Sequence, residues 1–187
     1  MSNLFSYFLP PITNTHPIKT VGPGELWDEI TSDRHKALTE RIRATTNDAE
    51  RRKLKALLPY VTPAGCFVHP RRDKDLIVPS NMVVMDYDNV PSVPVARAVL
   101  MADEVLAGNL MLMFTSPTGN GIKAFLRTDP DETHLANFRN YTDYLSRKYR
   151  GLGLEADESG KNLSRLCYVP HDPTAYLHPS FGGACLL

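Results

Sequence analysis

The sequence has few cysteines, and no two of them are spaced like a metal or redox motif. Cys66, Cys167 and Cys185 are scattered along the chain without a Cys-x-x-Cys pair. This spacing argues against the common zinc and dithiol sites, and the odd number gives no disulfide framework. We therefore expect reduced, buried thiols.

The chain also lacks net charge and a long apolar run. Lysine plus arginine and aspartate plus glutamate each total 21, so the formal net charge is zero. A net charge of zero argues against the strong, non-specific nucleic-acid binding of a histone-like protein. A local stripe of basic residues could still contact phosphates. No run approaches the roughly 18 apolar residues that a membrane span needs, and the first residues lack the basic segment of a signal peptide. We expect a cytoplasmic protein with no membrane partner.

The composition is that of a folded domain, with 187 residues of which 42% are apolar and 22% charged. Residues 1–80 predict an N-terminal arm with helices and short strands. Residues 81–187 predict a more regular unit, and the two parts together form one domain. Apolar runs and turn residues in the second part predict strands over 81–88, 110–115, 122–127 and 163–169, and helices from a Ser92 cap to about 106 and over 131–150.

The predicted fold is therefore α+β, with a ferredoxin-like or RRM-like β-α-β-β-α-β palm and an N-terminal helical lobe. In this topology the first strand lies between the third and fourth and runs antiparallel to both. The segments that follow the first two strands and precede the other two then meet at one edge. His171 and Asp172 end the fourth strand, so they are expected at the opposite edge, in a structural turn.

Two aspartates lie at the end of the first predicted strand. The two-residue period of a strand places Asp86 and Asp88 on one face and Tyr87 on the other. Paired carboxylates repel each other unless a cation neutralises them, and Mg²⁺ or Mn²⁺ does so in two-metal phosphoryl transfer. A turn formed by Asp88 and Asn89 before Pro91 explains the same residues without a metal.

A glycine-containing turn and a lysine follow the second predicted strand. The backbone and the hydroxyls of Ser116 and Thr118, with the turn residues Gly119 and Gly121, predict a cradle for phosphate oxygens. Lys123 adds a charge for a triphosphate. An ordinary hairpin turn remains the alternative.

An acidic segment and an arginine meet the same predicted edge. Asp157 supplies a third carboxylate and Arg165 a bidentate contact for phosphate. Glu155 and Glu158 lie close to Asp157 in sequence, and spacing does not choose among the three.

Basic residues outside this edge favour a solvated surface, and a nucleic-acid contact through phosphates is the alternative. One group lies on a helix that Asn47 and Glu50 open as a capping box, and the other lies in an exposed loop. The candidates are Arg51, Arg52, Lys53, Lys55, Arg71 and Arg72.

These residues together resemble a known family over about 53–179. Lys55-Ala56-Leu57-Leu58-Pro59 precedes Gly65-Cys66-Phe67, Asp86 and Asp88 match an Asp-x-Asp motif, and Ser116 to Gly121 match a Ser-x-Ser/Thr-Gly-x-Gly turn. Asp157, Arg165 and the closing Tyr168 to Pro173 match the remaining motifs. The chain thus resembles the archaeo-eukaryotic primase superfamily, in its primase-polymerase-like VirE N-terminal domain branch. Lys123 stands where many superfamily members have histidine.

The resemblance implies a metal-dependent DNA primase or polymerase. Asp86, Asp88 and Asp157 would hold Mg²⁺ or Mn²⁺, and the turn, Lys123 and Arg165 would bind a nucleoside triphosphate. The partners would be a DNA or RNA template and a helicase domain or protein. A catalytically silent nucleotide- or nucleic-acid-binding module is the alternative, and a unit that serves only in protein contacts is a third.

Overall fold

The computed structural model describes residues 3–181, and it confirms an α+β protein whose strand pairings are all antiparallel. The strands are β1 Phe5–Phe8, β2 Lys19–Val21, β3 Tyr60–Thr62, β4 Gly65–Phe67, β5 Leu76–Pro79, β6 Met82–Tyr87, β7 Leu110–Thr115, β8 Ile122–Arg127, β9 Cys167–Tyr168 and β10 Tyr176–Leu177. The α-helices are α1 Pro23–Thr31, α2 Lys36–Ala44, α3 Asp48–Lys55, α4 Val93–Ala102 and α5 His134–Lys148.

The central sheet has the order β10-β7-β8-β6, so the first three predicted strands pair as expected. Both faces of β6 are buried, and its side chains alternate between two cores. Val83, Met85 and Tyr87 pack on the face that α4 and α5 cover. Met82 and Val84 pack on the other face.

The second core is built with the N-terminal segments. A second sheet has the order β2-β1-β3-β9, and its residues Phe5 and Val61 share a core with Val84 of β6. Leu26 and Ile30 of α1 complete that core. Asp86 continues the parity of Met82 and Val84, so its side chain emerges on the face that the N-terminal segments cover. This placement brings α2 and α3 within reach of the site.

The prediction of a fourth strand over 163–169 is wrong in the length of the strand and in the strand that it pairs with. Only Cys167–Tyr168 forms a strand, and it pairs with Tyr60 and Val61 of β3 rather than with β6. Beside β6 lies the 3₁₀ turn Glu158–Lys161, and the amide of Asp157 donates a hydrogen bond to the Asp86 carbonyl oxygen at 2.8 Å. The acidic segment therefore reaches β6 through a loop.

Two helices begin or end where side chains cap them. The Asn47 side chain accepts a hydrogen bond from the Glu50 amide and opens α3, which confirms the helix start and one of the two bonds of the predicted capping box. Helix α4 ends at Ala102, earlier than predicted, because the Asp103 carboxylate accepts hydrogen bonds from the amides of Val105 and Leu106 and starts a new turn.

Cys66 and Cys167 are free and buried, as predicted. Cys185 lies outside the described residues. Among residues 3–181, no helix has both the length and the apolar character to span a membrane.

Candidate metal and nucleotide site

Three carboxylates converge at the end of β6. One oxygen each of Asp86, Asp88 and Asp157 lies within 4.8 Å of the other two. Asp86 is buried, Asp157 is half-buried, and Asp88 is exposed just after the strand. Asp157 is fixed by the hydrogen bond from its amide to Asp86 and by the Ser159 amide, which donates to its carboxylate at 2.9 Å. The sequence did not decide whether Glu155, Asp157 or Glu158 supplies the third carboxylate. In the structure it is Asp157 that lies beside Asp86 and Asp88.

Two cations contact one oxygen of Asp86. Lys123 pairs with Asp86 across the β6–β8 register, and its ammonium forms an ion pair with Oδ2. The Arg165 guanidinium donates to Asp86 Oδ2 and to Asp157 Oδ2, each at 2.8 Å. Asp86 Oδ1 is buried without a hydrogen-bond partner among the described residues. Because a buried, unpaired carboxylate oxygen costs free energy, it indicates a ligand atom that a bound cation would satisfy.

The pKa values reflect this pairing. Burial opposes the charge of Arg165, but contacts with Asp86 and Asp157 outweigh it and raise the Arg165 pKa. Burial likewise opposes ionisation of Asp157, whereas hydrogen bonding from Ser159 and the charges of Arg165 and Lys123 lower its pKa overall. The Asp157 carboxylate is thus stabilised in its charged form, the form that a metal ion would need.

The donor set fits a hard divalent cation. Carboxylate oxygens are the protein ligands that Mg²⁺ and Mn²⁺ prefer. Asp86 and Asp157 would contribute a buried and a half-buried oxygen, and Asp88 an oxygen open to solvent. The arrangement therefore supports metal binding without identifying the metal.

The glycine turn lies against the loop that follows the carboxylates. The Val90 amide donates to the Asn120 carbonyl oxygen at 2.8 Å, and the two asparagine side chains of Asn89 and Asn120 bond at 2.9 Å. Gly121 has no room for a side chain, since a Cβ there would clash with the Tyr87 carbonyl oxygen. Gly119 has a φ of +84°, which favours glycine. The turn is consequently fixed beside the aspartates.

Two amides and two hydroxyls of the glycine turn form hydrogen bonds within the turn. The amides of Ser116 and Gly119 bond within the turn, to the carbonyl oxygens of Gly121 and Ser116 at 2.8 and 3.0 Å. Ser116 Oγ and Thr118 Oγ1 lie 3.0 Å apart and bond to each other. The predicted backbone cradle is therefore smaller than the sequence suggested, because two of its amides already have partners.

Of the basic residues predicted to contact nucleic acid, Lys55 lies nearest the site. Its ammonium lies 5.7 Å from the ring centroid of Tyr168. Burial lowers the Lys55 pKa, as does the charge of Lys123, while Asp88 opposes the shift. Lys55 is thus a third cation beside the carboxylates.

Four of the other five basic candidates lie at the surface. Arg52 and Lys53 are exposed on α3, and Arg51 forms an ion pair with Asp48. Arg72 pairs with Asp75 in an exposed loop.

Arg71 is held within the fold. Its guanidinium lies 5.2 Å from the ring centroid of Tyr60 and donates to the Ser164 carbonyl oxygen at 2.8 Å. Because those contacts occupy the side chain, Arg71 supports the segment that carries Arg165.

His171 and Asp172 lie beside the turn, so their predicted position at the opposite edge is wrong. The Thr115 amide donates to the Asp172 carboxylate at 2.7 Å, and Arg97 forms an ion pair with the same oxygen at 3.0 Å. The misplacement followed from the fourth strand, because the chain leaves β9 and crosses to the end of β7. The expected structural turn is present, since Thr174 donates its amide and hydroxyl to Asp172.

Arg43 is a site residue that the sequence did not single out. This α2 residue donates to the carbonyl oxygens of Ser116 and His171 at 3.5 and 3.2 Å. It lies in an ordinary charged helix, between the exposed Arg41 and Ala44, so no motif marks it. The burial of Ile42 shows only that this turn of the helix packs on the domain.

Comparison with known proteins assigns a family. The model of a family described as "BT4734-like, N-terminal domain" matches residues 53–177, more than half of the chain. The chain belongs to the BT4734-like N-terminal domain family. The matched range contains the three aspartates, the glycine turn, Lys123 and Arg165, and Arg43 lies upstream of it. Searches of curated proteins and of solved structures found no match to this BT4734-like domain.

Proposed function

We propose that this BT4734-like domain is a primase-polymerase-like nucleotidyltransferase with a palm related to the ferredoxin-like fold. The observation that carries the proposal is the convergence of Asp86, Asp88 and Asp157 within 4.8 Å, next to two cations that contact Asp86. The order β7-β8-β6 of the central sheet supports the palm, although the fourth strand of that fold is replaced by the loop of Asp157.

Asp86, Asp88 and Asp157 would hold Mg²⁺ or Mn²⁺. Ions bound there would neutralise charge on the triphosphate and lower the pKa of the attacking hydroxyl. The buried Oδ1 of Asp86 and the exposed carboxylate of Asp88 give the site one enclosed and one accessible ligand.

The side chains of the site would orient the substrate for one displacement. Lys123, Arg165 and the Ser116 hydroxyl would hold the phosphates of a nucleoside triphosphate, aligned for attack. A primer 3′ oxygen would form the new bond to the α-phosphorus, pyrophosphate would leave with its bridging oxygen, and the hydroxyl proton would pass to solvent. In de novo priming a second nucleotide would supply the 3′ hydroxyl.

The nucleic-acid partner would be a DNA or RNA template, in replication of DNA or of a mobile element together with a helicase domain or protein. The exposed Arg52 and Lys53 would contact its backbone. Such contacts are independent of sequence and suit a polymerase.

A catalytically silent nucleotide-binding module is the second candidate. One observation favours it: Lys123, at the position where superfamily relatives often carry histidine, is committed to an ion pair with Asp86. In that case metal and nucleotide would bind without turnover.

Primer extension and de novo priming by the purified protein with Mg²⁺ or Mn²⁺ test the proposal. We expect product from the wild type and none from Asp88→Asn, whose exposed side chain can change without disturbing the fold. Asp143→Asn is the matched control, because this aspartate is exposed on α5 and pairs with Arg147.

The outcomes separate the candidates. Equal product from the wild type and from Asp88→Asn would refute the metal-site assignment. Metal-dependent nucleotide binding without incorporation on any template would establish the silent module.

A further inference from the structure

Arg43 lies at the end of the glycine turn that is remote from the carboxylates. Three contacts lead from the carboxylates along the turn to Arg43. Lys123 pairs with Asp86, Gly121 lies against the Tyr87 backbone, and Gly119 lies against the Arg43 side chain. A Cβ built on Gly119 would be 3.3 Å from Cδ and Nε of Arg43, so the arginine stem covers this glycine closely. The turn thus separates two positively charged positions.

The Arg43 charge is not neutralised by a direct partner. Among residues 3–181, Arg43 forms no ion pair, and the nearby Asp172 is already paired with Arg97. Burial lowers the Arg43 pKa, and the charges of Asp172 and Glu40 offset this only in part. The charges of Arg97 and Asp172 neutralise each other in their ion pair. The positive charge of Arg43 therefore remains beside the turn without an ion-pair partner among the described residues.

Arg43 also keeps hydrogen-bonding capacity. A guanidinium has five N–H donors, and within the described part of the chain only Nη2 of Arg43 donates hydrogen bonds. The residue as a whole is exposed, so a ligand can reach it. An exposed guanidinium with free donors and no counter-charge suits a phosphate group.

We propose that Arg43 binds the terminal phosphate of the nucleoside triphosphate. The inference rests on the proposed function, which places the α-phosphate at Asp86, Asp88 and Asp157. The phosphate chain then extends past Lys123 and over the turn, and its far end meets Arg43. Helix α2, outside the range matched by the family model, thereby completes the nucleotide site and makes it selective for triphosphates.

Nucleotide affinity with Mn²⁺, measured by calorimetry for the triphosphate, diphosphate and monophosphate, tests this assignment. Loss of a charge-assisted hydrogen bond in Arg43→Met should weaken triphosphate binding by about tenfold or more, with less than about a twofold change for the monophosphate. Arg43→Lys, which keeps the charge and much of the stem, should lose less than Arg43→Met. Arg41→Met on the same helix is the matched control and should bind like the wild type.

The pattern across the three nucleotides separates phosphate binding from support of the fold. If Arg43 only fastened α2 to the turn, Arg43→Met would weaken all three nucleotides by the same factor, and this result would overturn the inference. Unchanged triphosphate affinity in Arg43→Met and Arg43→Lys would overturn it as well. Should Arg43→Met fail to fold, as judged by its thermal midpoint, Arg43→Lys supplies the same comparison.

Two further measurements distinguish a nucleotide phosphate from a nucleic-acid phosphate at Arg43, and the failure of this inference from the failure of the proposed function. Binding of a single-stranded oligonucleotide without nucleotide should be the same in Arg43→Met and the wild type. A loss confined to the oligonucleotide would assign Arg43 to the nucleic-acid backbone and overturn the inference. A wild type that binds no nucleotide with Mn²⁺ would overturn the inference and the proposed function together, whereas normal binding with an indifferent Arg43 overturns the inference alone.

Discussion

Lys123 and Asp86 face each other across β6 and β8, and their ion pair uses the same carboxylate oxygen that Arg165 contacts. Asp86 is therefore a buried anion that neutralises two cations and also a candidate ligand for metal. Asp88 is a candidate ligand only, because it is exposed and lies beyond the strand.

Substitution of the two aspartates should separate these roles. Asp86→Asn leaves Lys123 and part of Arg165 without their buried counter-charge, so the free energy of unfolding should fall by about 3 kcal/mol. Asp88→Asn should leave stability within about 0.5 kcal/mol of the wild type. Urea unfolding followed by the fluorescence of Trp27, the single tryptophan, measures both. Equal stability of the two variants would contradict this division.

The same two variants should both lose the response to metal. A ligand that binds the folded state raises the melting temperature, so Mn²⁺ with a triphosphate should stabilise the wild type. Neither variant should show this increase. A wild-type-sized increase in Asp88→Asn would show that Asp88 is not a ligand.

Lys123→Met should affect metal and nucleotide in opposite directions. Because the positive charge of Lys123 competes with a metal ion for the Asp86 carboxylate, its removal should tighten Mn²⁺ binding to the nucleotide-free protein by about tenfold. The same change removes the proposed phosphate contact, so triphosphate binding should weaken by about tenfold. Calorimetric titrations with each ligand alone measure the two effects.

Lys55→Met is the comparison for Lys123→Met. Lys55 lies near the carboxylates but, within residues 3–181, forms no ion pair with them. Its removal should tighten Mn²⁺ binding by a smaller factor. The competition is disproved if Lys123→Met binds Mn²⁺ no better than Lys55→Met.

Asp103 should make the domain less stable in acid. Burial would raise its pKa, but hydrogen bonds from Tyr149, Lys148 and the Leu106 amide lower it from 3.8 to about 2. A depressed folded-state pKa stabilises the protein above the unfolded value, so the contribution is full above about pH 5 and is lost as the pH falls toward 2. The shift corresponds to a contribution on the order of 2 kcal/mol.

Asp103→Asn tests this pH dependence. The difference in unfolding free energy between the wild type and Asp103→Asn should be larger at pH 6 than at pH 2.5. Asp143→Asn, at an exposed position, should show no such trend. A difference for Asp103→Asn that stays constant between the two pH values would exclude the carboxylate charge as its cause.

The exposed lysine and arginine of α3 should contribute to nucleic-acid affinity through salt-sensitive contacts. Arg52→Ala and Lys53→Ala should each reduce the dependence of log affinity on log salt concentration by about 1, without changing triphosphate binding. Arg71→Ala should instead lower stability, because Arg71 packs near Tyr60 and bonds to Ser164. Unchanged salt dependence in both α3 variants would place the nucleic acid on another surface.

The sequence predicted the central strands well because their signal is local. The runs that form β6, β7 and β8 are apolar and end at turn residues, and the bounds of β7 and β8 agree with the prediction. The pairing of these three strands places Lys123 opposite Asp86. The period of a strand likewise predicted that Asp86 and Asp88 share a face.

The prediction of the fourth strand was wrong because the residues of a strand do not by themselves identify the strand that it pairs with. Residues 163–169 end in the mostly apolar run Leu166 to Val169, which is typical of a strand, yet nothing in them distinguishes pairing with β6 from pairing with Tyr60 and Val61. Arg43 was missed for a related reason. Its role depends on how α2 docks, where the buried Thr39 accepts a hydrogen bond from the His171 amide at 2.9 Å, and this contact spans most of the chain.

The two-sided burial of β6 has a consequence for where the cooperative folding unit begins. The family model matches from residue 53, but Phe5, Leu26 and Ile30 cover Val84 and Phe125 from upstream. Each such side chain contributes about 2 kcal/mol through burial. A fragment cut at residue 53 would leave one face of the central sheet bare and aggregation-prone. The evolutionary module recognised by sequence is thus smaller than the unit that folds.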